Sequence, residues 1–151
     1  MAFQAQIMKS PQAIIISCAG TMDEHMNLPV PSESLPIEID LGQVSYINSI
    51  GVRKWIRWVT DVAKAPRVTL ENCPVIFVKN LTTIKGMLGA NTQLKSFFVP
   101  YYNDELGERQ NVLFRSGIEF LDDGRVMPPA VGPGLEMDVV EDIYFSFLRR
   151  P

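Results

Sequence analysis

Asp40-Leu41-Gly42-Gln43-Val44-Ser45-Tyr46-Ile47-Asn48-Ser49-Ile50-Gly51-Val52-Arg53-Lys54-Trp55 reads as a buried strand ending in an acidic residue, a short loop, and the mouth of an amphipathic helix. Val52, Trp55, Ile56, Val59, Val62 and Ala63 fall at helical spacing and make one apolar stripe. Arg53, Lys54, Arg57, Asp61 and Lys64 take the other side, and Pro66 ends the helix. A helix mouth carries unpaired backbone N–H groups and a partial positive charge. Ser49 can satisfy one of those donors as an N-cap. A phosphate on Ser49 would meet the same donors with far more charge, and Arg53 one turn on could pair with it. Spacing alone leaves both uses of Ser49 open.

Working outward, the β-branched run at 13–19, closed by Gly20, predicts a strand buried on both faces. Residues 21–28 read as a turn or short helix. Pro29, Pro31 and Pro36, with Ser32 and Ser34 among them, mark a loop. Residues 36–41 alternate as a second strand. Downstream, 75–79 reads as a strand, and Asn80 can cap a short helix carrying Leu81, Ile84, Met87 and Leu88 that stops near Gly89. Residues 96–100 read as a last strand. This alternation of strands and helices predicts an α/β fold with a mixed sheet flanked by helices over residues 1–100.

Residues 101–151 have a different texture and predict a small appendage, a β-hairpin plus a helix. Residues 111–114 and 118–121 look like short strands, with Asp123-Gly124 a turn. Asp138 can cap a final helix with Glu141 at the capping-box position. Val140, Ile143, Tyr144, Phe147 and Leu148 would form its apolar stripe.

Composition narrows the function classes. With 46% apolar and 21% charged residues, the 151-residue chain has the make-up of a soluble globular protein. A formal net charge of -3 gives no pull toward nucleic acid or an anionic membrane. No apolar run is long enough to span a bilayer, and the first residues lack the pattern of a signal peptide. Cys18 and Cys73 sit in apolar stretches, as small buried residues of a reducing compartment do. The expected location is the cytoplasm.

The ordered motifs resemble the STAS domain of bacterial anti-sigma factor antagonists. Residues 20–24 are similar to the family's glycine-plus-acidic turn, 39–44 to its "D-L-S-x-V" strand, and 47–52 to its "D-S-S-G-L" loop. The likeness covers roughly the first hundred residues. It implies a non-catalytic, bacterial protein–protein interaction module whose partner is an anti-sigma factor or a kinase-like protein. It also implies that Ser49 is the phosphorylated serine of a partner switch. Asn48 stands where the family has aspartate, and Ile50 where it has a second serine. The expected docking patch is Asn48, Ser49, Ile50, Gly51, Arg53, Lys54 and Arg57. Trp58 fits either the core margin or an interface.

Residues 101–107 resemble one knuckle of a zinc ribbon and 132–138 the other, with Asn103 and Leu106 where cysteines would stand. Zinc needs four thiolate or imidazole ligands, so no metal is expected. His25, the single histidine, reads as part of a surface turn. No Ser/His/Asp arrangement and no phosphate-binding glycine loop occurs, so neither an enzyme activity nor a cofactor is expected. Two other functions stay open: a scaffold that forms a homodimer through the C-terminal helix, and a small-molecule or nucleotide sensor.

Overall fold

Residues 1–149 are described by a computed structural model. The chain opens with a strand that its short polar sequence does not announce. This is β1 (Gln4–Lys9), which runs antiparallel to β2 (Ile14–Met22). β3 (Ile37–Ile47) lies parallel to β2, and α1 (Ser49–Asp61) follows it. β4 (Val68–Glu71) pairs parallel with β3. After α2 (Val75–Thr83), β5 (Thr92–Leu94) pairs parallel with β4. The result is a mixed five-stranded sheet in the order β1-β2-β3-β4-β5. A second, antiparallel sheet has the order β7-β6-β8, from β6 (Ser96–Asn103), β7 (Glu108–Arg115) and β8 (Leu135–Met137). α3 (Glu141–Tyr144) and a 3-10 turn (Ser146–Arg149) close the described chain. The fold is therefore mixed α/β, with three α-helices among the described residues.

Several elements depart from the sequence expectation. β2 buries Ile14, Ile16, Cys18 and Met22, but Ser17 is exposed. Ile15 pairs across to Glu38 and Ser17 to Asp40, so the second face of the sheet is polar rather than buried. Three consecutive isoleucines hid the alternation. Gly20 does not close β2. With φ at 89° it lets the N-terminal residues lie against the strand, where the Thr21 N–H donates to the Met1 carbonyl at 3.1 Å.

Residues 75–79 form a helix, not a strand. Pro74 stands at the N-cap position, and Phe77, Val78 and Leu81 then share the buried face. Asn80 lies inside that helix and donates to the Ile76 carbonyl at 2.9 Å, so it caps nothing. Of the helix expected after it, Leu81 belongs to α2, and the stretch from Ile84 on is a loop that presents Met87 to the core. There the Met87 carbonyl accepts the Trp55 indole N–H at 2.9 Å.

In the C-terminal part, 118–121 is not a strand. It is a turn built on Glu119, which is buried and accepts from the Arg115 backbone N–H and guanidinium at 3.0 and 2.9 Å. That guanidinium holds the Glu119 carboxyl below the usual carboxylate range. Asp138 does not cap α3, where Val140 occupies the cap position with no side-chain hydrogen bond. α3 is a single turn, and the change to 3-10 geometry rotates the expected stripe. Tyr144, Phe145 and Phe147 go inward, while Val140 and Ile143 stay exposed.

Residue 100, where a boundary was expected, lies inside β6, and one hydrophobic core takes residues from both sides of it. The last two residues of the expected 101–151 segment lie outside the described residues. Phe97 is fully buried, with the rings of Phe114, Phe120, Phe145 and Phe147 at centroid distances of 5.9, 5.0, 6.1 and 5.2 Å. On the other side of the core, Trp55 meets Phe77 edge-on at 5.0 Å. Among the described residues no helix is long and apolar enough to cross a membrane.

Phe97→Ala should cost about 3–5 kcal/mol in urea unfolding. A cost below about 1 kcal/mol would mean that the tail aromatics do not share its core.

Candidate functional site

α1 begins at the end of β3, against the end of β2. Asn48 is extended, and its Oδ1 accepts the Gly51 N–H at 2.8 Å. Its own backbone N–H donates to the Met22 carbonyl at 3.0 Å. Asn48 is therefore the N-cap, and the expectation that Ser49 could fill that role is corrected. Ser49 is the first residue of the helix. Its hydroxyl is exposed and takes no part in capping.

Gly51 is buried rather than presented to a partner. A Cβ there would overlap the Met22 carbonyl, so α1 reaches β2 only where the side chain is absent. The close approach, not an unusual φ, is what requires glycine.

The turn after β2 completes the wall of the site. Asp23 Oδ1 accepts the His25 N–H at 3.0 Å, and the Met26 N–H donates to the Asp23 carbonyl at 3.1 Å. Glu24 Oε2 accepts from Asn48 Nδ2 at 3.4 Å. Lys54 Nζ donates to the carbonyls of Glu24 and Met26. Lys54 is thus half-buried and straps the turn to α1, so its ammonium is already engaged. His25 is exposed, with Nε2 3.5 Å from Glu24 Oε1.

Ser49, Ile50, Arg53 and Arg57 of the expected patch are exposed. Ile50 is 37% exposed. Tyr46, at the end of β3, joins them with 54% exposure. Tyr46 is not legible from alternation, because a register irregularity between β2 and β3 near it breaks the strict period of two. Arg57 also lines a cleft of about 180 Å³ with Met26, Leu28, Val30 and Trp58. Trp58 belongs to the core. It is buried, and its indole N–H donates to the Pro29 carbonyl at 2.8 Å, which pins the proline loop to α1.

Burial, with the Asp40 charge adding to it, pushes the Cys18 thiol up to about 12, and Cys73 shifts the same way. Neither cysteine is in a disulfide. The two ribbon-like segments do lie side by side. Asn103 Oδ1 accepts the N–H groups of Glu105 and Leu106 at 3.0 and 3.1 Å, and its Nδ2 donates to the Pro133 carbonyl at 3.3 Å. Asn103 is buried there, with Gly134 packed on it. Among the described residues no cluster of three or more His, Cys, Asp or Glu side chains could hold a metal ion. No protein-family model matches this chain, and neither does any curated protein.

The contact between Asn48 and Glu24 gives a physical reason for an amide at the cap. An aspartate would cap equally well, but it would set a carboxylate beside Glu24. Asn48→Asp should therefore be less stable with Glu24 present than in a Glu24→Gln background, by about 0.2–1 kcal/mol. Added salt should shrink the difference. A double-mutant cycle in urea measures it, and zero coupling at low salt would contradict the contact.

Proposed function

We propose that this chain is a non-catalytic protein–protein interaction module, STAS-like and similar to a bacterial anti-sigma factor antagonist. It docks an anti-sigma factor or kinase-like partner through Tyr46, Ser49, Ile50, Arg53 and Arg57. The observation that supports this reading most is the exposed Ser49 hydroxyl at the mouth of α1, released from capping by Asn48. A mixed aromatic, aliphatic and cationic surface surrounds it, suited to a partner with an acidic rim.

Phosphorylation supplies the switch. A kinase-like partner passes the γ-phosphoryl group of ATP to Ser49 Oγ: the Oγ–P bond forms as the bond to ADP breaks, and a base of the kinase takes the hydroxyl proton. The added charge of about -1.5 to -2 sits at the positive end of α1, one turn from Arg53. It takes up a cation that the partner needs and repels an acidic rim. The setting of this reading is a bacterial cytoplasm. Assembly through the C-terminal helix has less support, because Tyr144, Phe145 and Phe147 are already consumed by the core.

Co-purification from the native host with wild-type, Ser49→Ala and Ser49→Asp baits tests the proposal. A kinase-like or anti-sigma-like partner should be retained by the first two and lost by the third. The aspartate sits favourably at the helix mouth, so the melting temperature of Ser49→Asp should not fall. A partner held equally by all three baits would contradict the switch.

A further inference from the structure

Sheet edges invite other strands, and proteins usually blunt them. Among the described residues, three of the four sheet edges are blunted. β5 and β8 are only three residues long. β7 is long, but it begins Glu108-Arg109. β1 has no such device. Its run Gln4-Ala5-Gln6-Ile7-Met8 is free of charge and of proline. Its pairing with β2 is unbroken over six residues, so no bulge twists the edge away. Its one charge, Lys9, is drawn onto Glu33 at 2.8 Å. Ile7 and Met8 point to opposite faces of the sheet and are 43% and 68% exposed.

We propose that β1 pairs antiparallel with β1 of a second copy of this chain, which joins two five-stranded sheets into one of ten strands. A two-fold axis through the edge makes the contact isologous. Antiparallel neighbours must share a face, so residues of like parity oppose each other. The neutral run centres on Gln6. The register that overlaps all of it sets Gln6 against Gln6, Gln4 against Met8 and Ala5 against Ile7. No like charges meet in that register, and Lys9 falls outside it. The exposed apolar side chains of each strand gain a cross-strand neighbour. A second copy fits better than a foreign strand, because the edge is self-complementary and carries no charge to select another partner. This surface is separate from the Ser49 patch and does not depend on its function.

Sedimentation equilibrium on the full chain tests the pairing. The wild type should sediment at twice the 17.0 kDa chain mass. Gln6→Lys places two ammonium groups across the axis, and Gln6→Glu two carboxylates. Each variant alone should be monomeric and keep the wild-type circular dichroism spectrum, since Gln6 lies opposite the exposed Ser17 at the surface. An equimolar mixture of the two should form a dimer again. That rescue separates a β1 contact from loss of fold. A wild-type monomer, a Gln6→Lys dimer, or a mixture that stays monomeric would overturn the proposal.

Discussion

The seating of the first turn of α1 on the end of β2 is the constraint from which the site follows. Two backbone contacts make it: the Asn48 N–H on the Met22 carbonyl, and Gly51 packed beneath the same peptide. With the helix held this close, its stripe of Val52, Trp55 and Val59 faces the sheet, and Trp55 reaches the Met87 carbonyl across the core. Residues 49, 50, 53 and 57 are then left outside. The exposure of Ser49 is thus a by-product of how the helix must enter, with capping delegated one residue upstream. Lys54 and Glu24 tie the facing turn to α1.

A second dependence runs through Phe97. The strand that carries it begins beside β4, where the Cys73 N–H donates to the Ser96 carbonyl at 3.2 Å and the Phe98 N–H to the Cys73 carbonyl at 2.9 Å. The antiparallel sheet is therefore stitched to the mixed one by backbone as well as by aromatic packing. Tyr144 adds a long-range tie, its hydroxyl donating to the Phe98 carbonyl at 2.6 Å. The C-terminal segment, short of regular structure and of metal-ligand clusters among the described residues, gains its order from these contacts.

Legibility followed element length and the strength of periodicity. α1 was readable because thirteen residues give several turns of one stripe and Pro66 lies beyond its end. The α/β class was readable for the same reason. β4 and β5, of four and three residues, are too short to show a period. Residues 75–79 misled because a β-branched run fits a strand or a buried helix turn equally, and Pro74 was the discriminating neighbour. The site was readable as a location but not in its roles. Asn48 and Ser49 are both good caps, and only the three-residue step from Asn48 Oδ1 to the Gly51 N–H decides between them. That Gly51 and Lys54 face inward depends on Met22, Glu24 and Met26, partners more than twenty residues away in sequence.

The division of labour between Asn48 and Ser49 is the central claim, and urea unfolding of Asn48→Ala and Ser49→Ala tests it most directly. Asn48→Ala should lose about 1 kcal/mol, the usual cost of removing an N-cap. Ser49→Ala should stay within about 0.5 kcal/mol of wild type, as an exposed side chain without partners does. The reverse order, with Ser49→Ala the costly change, would show Ser49 to be the cap and its hydroxyl unavailable as a switch.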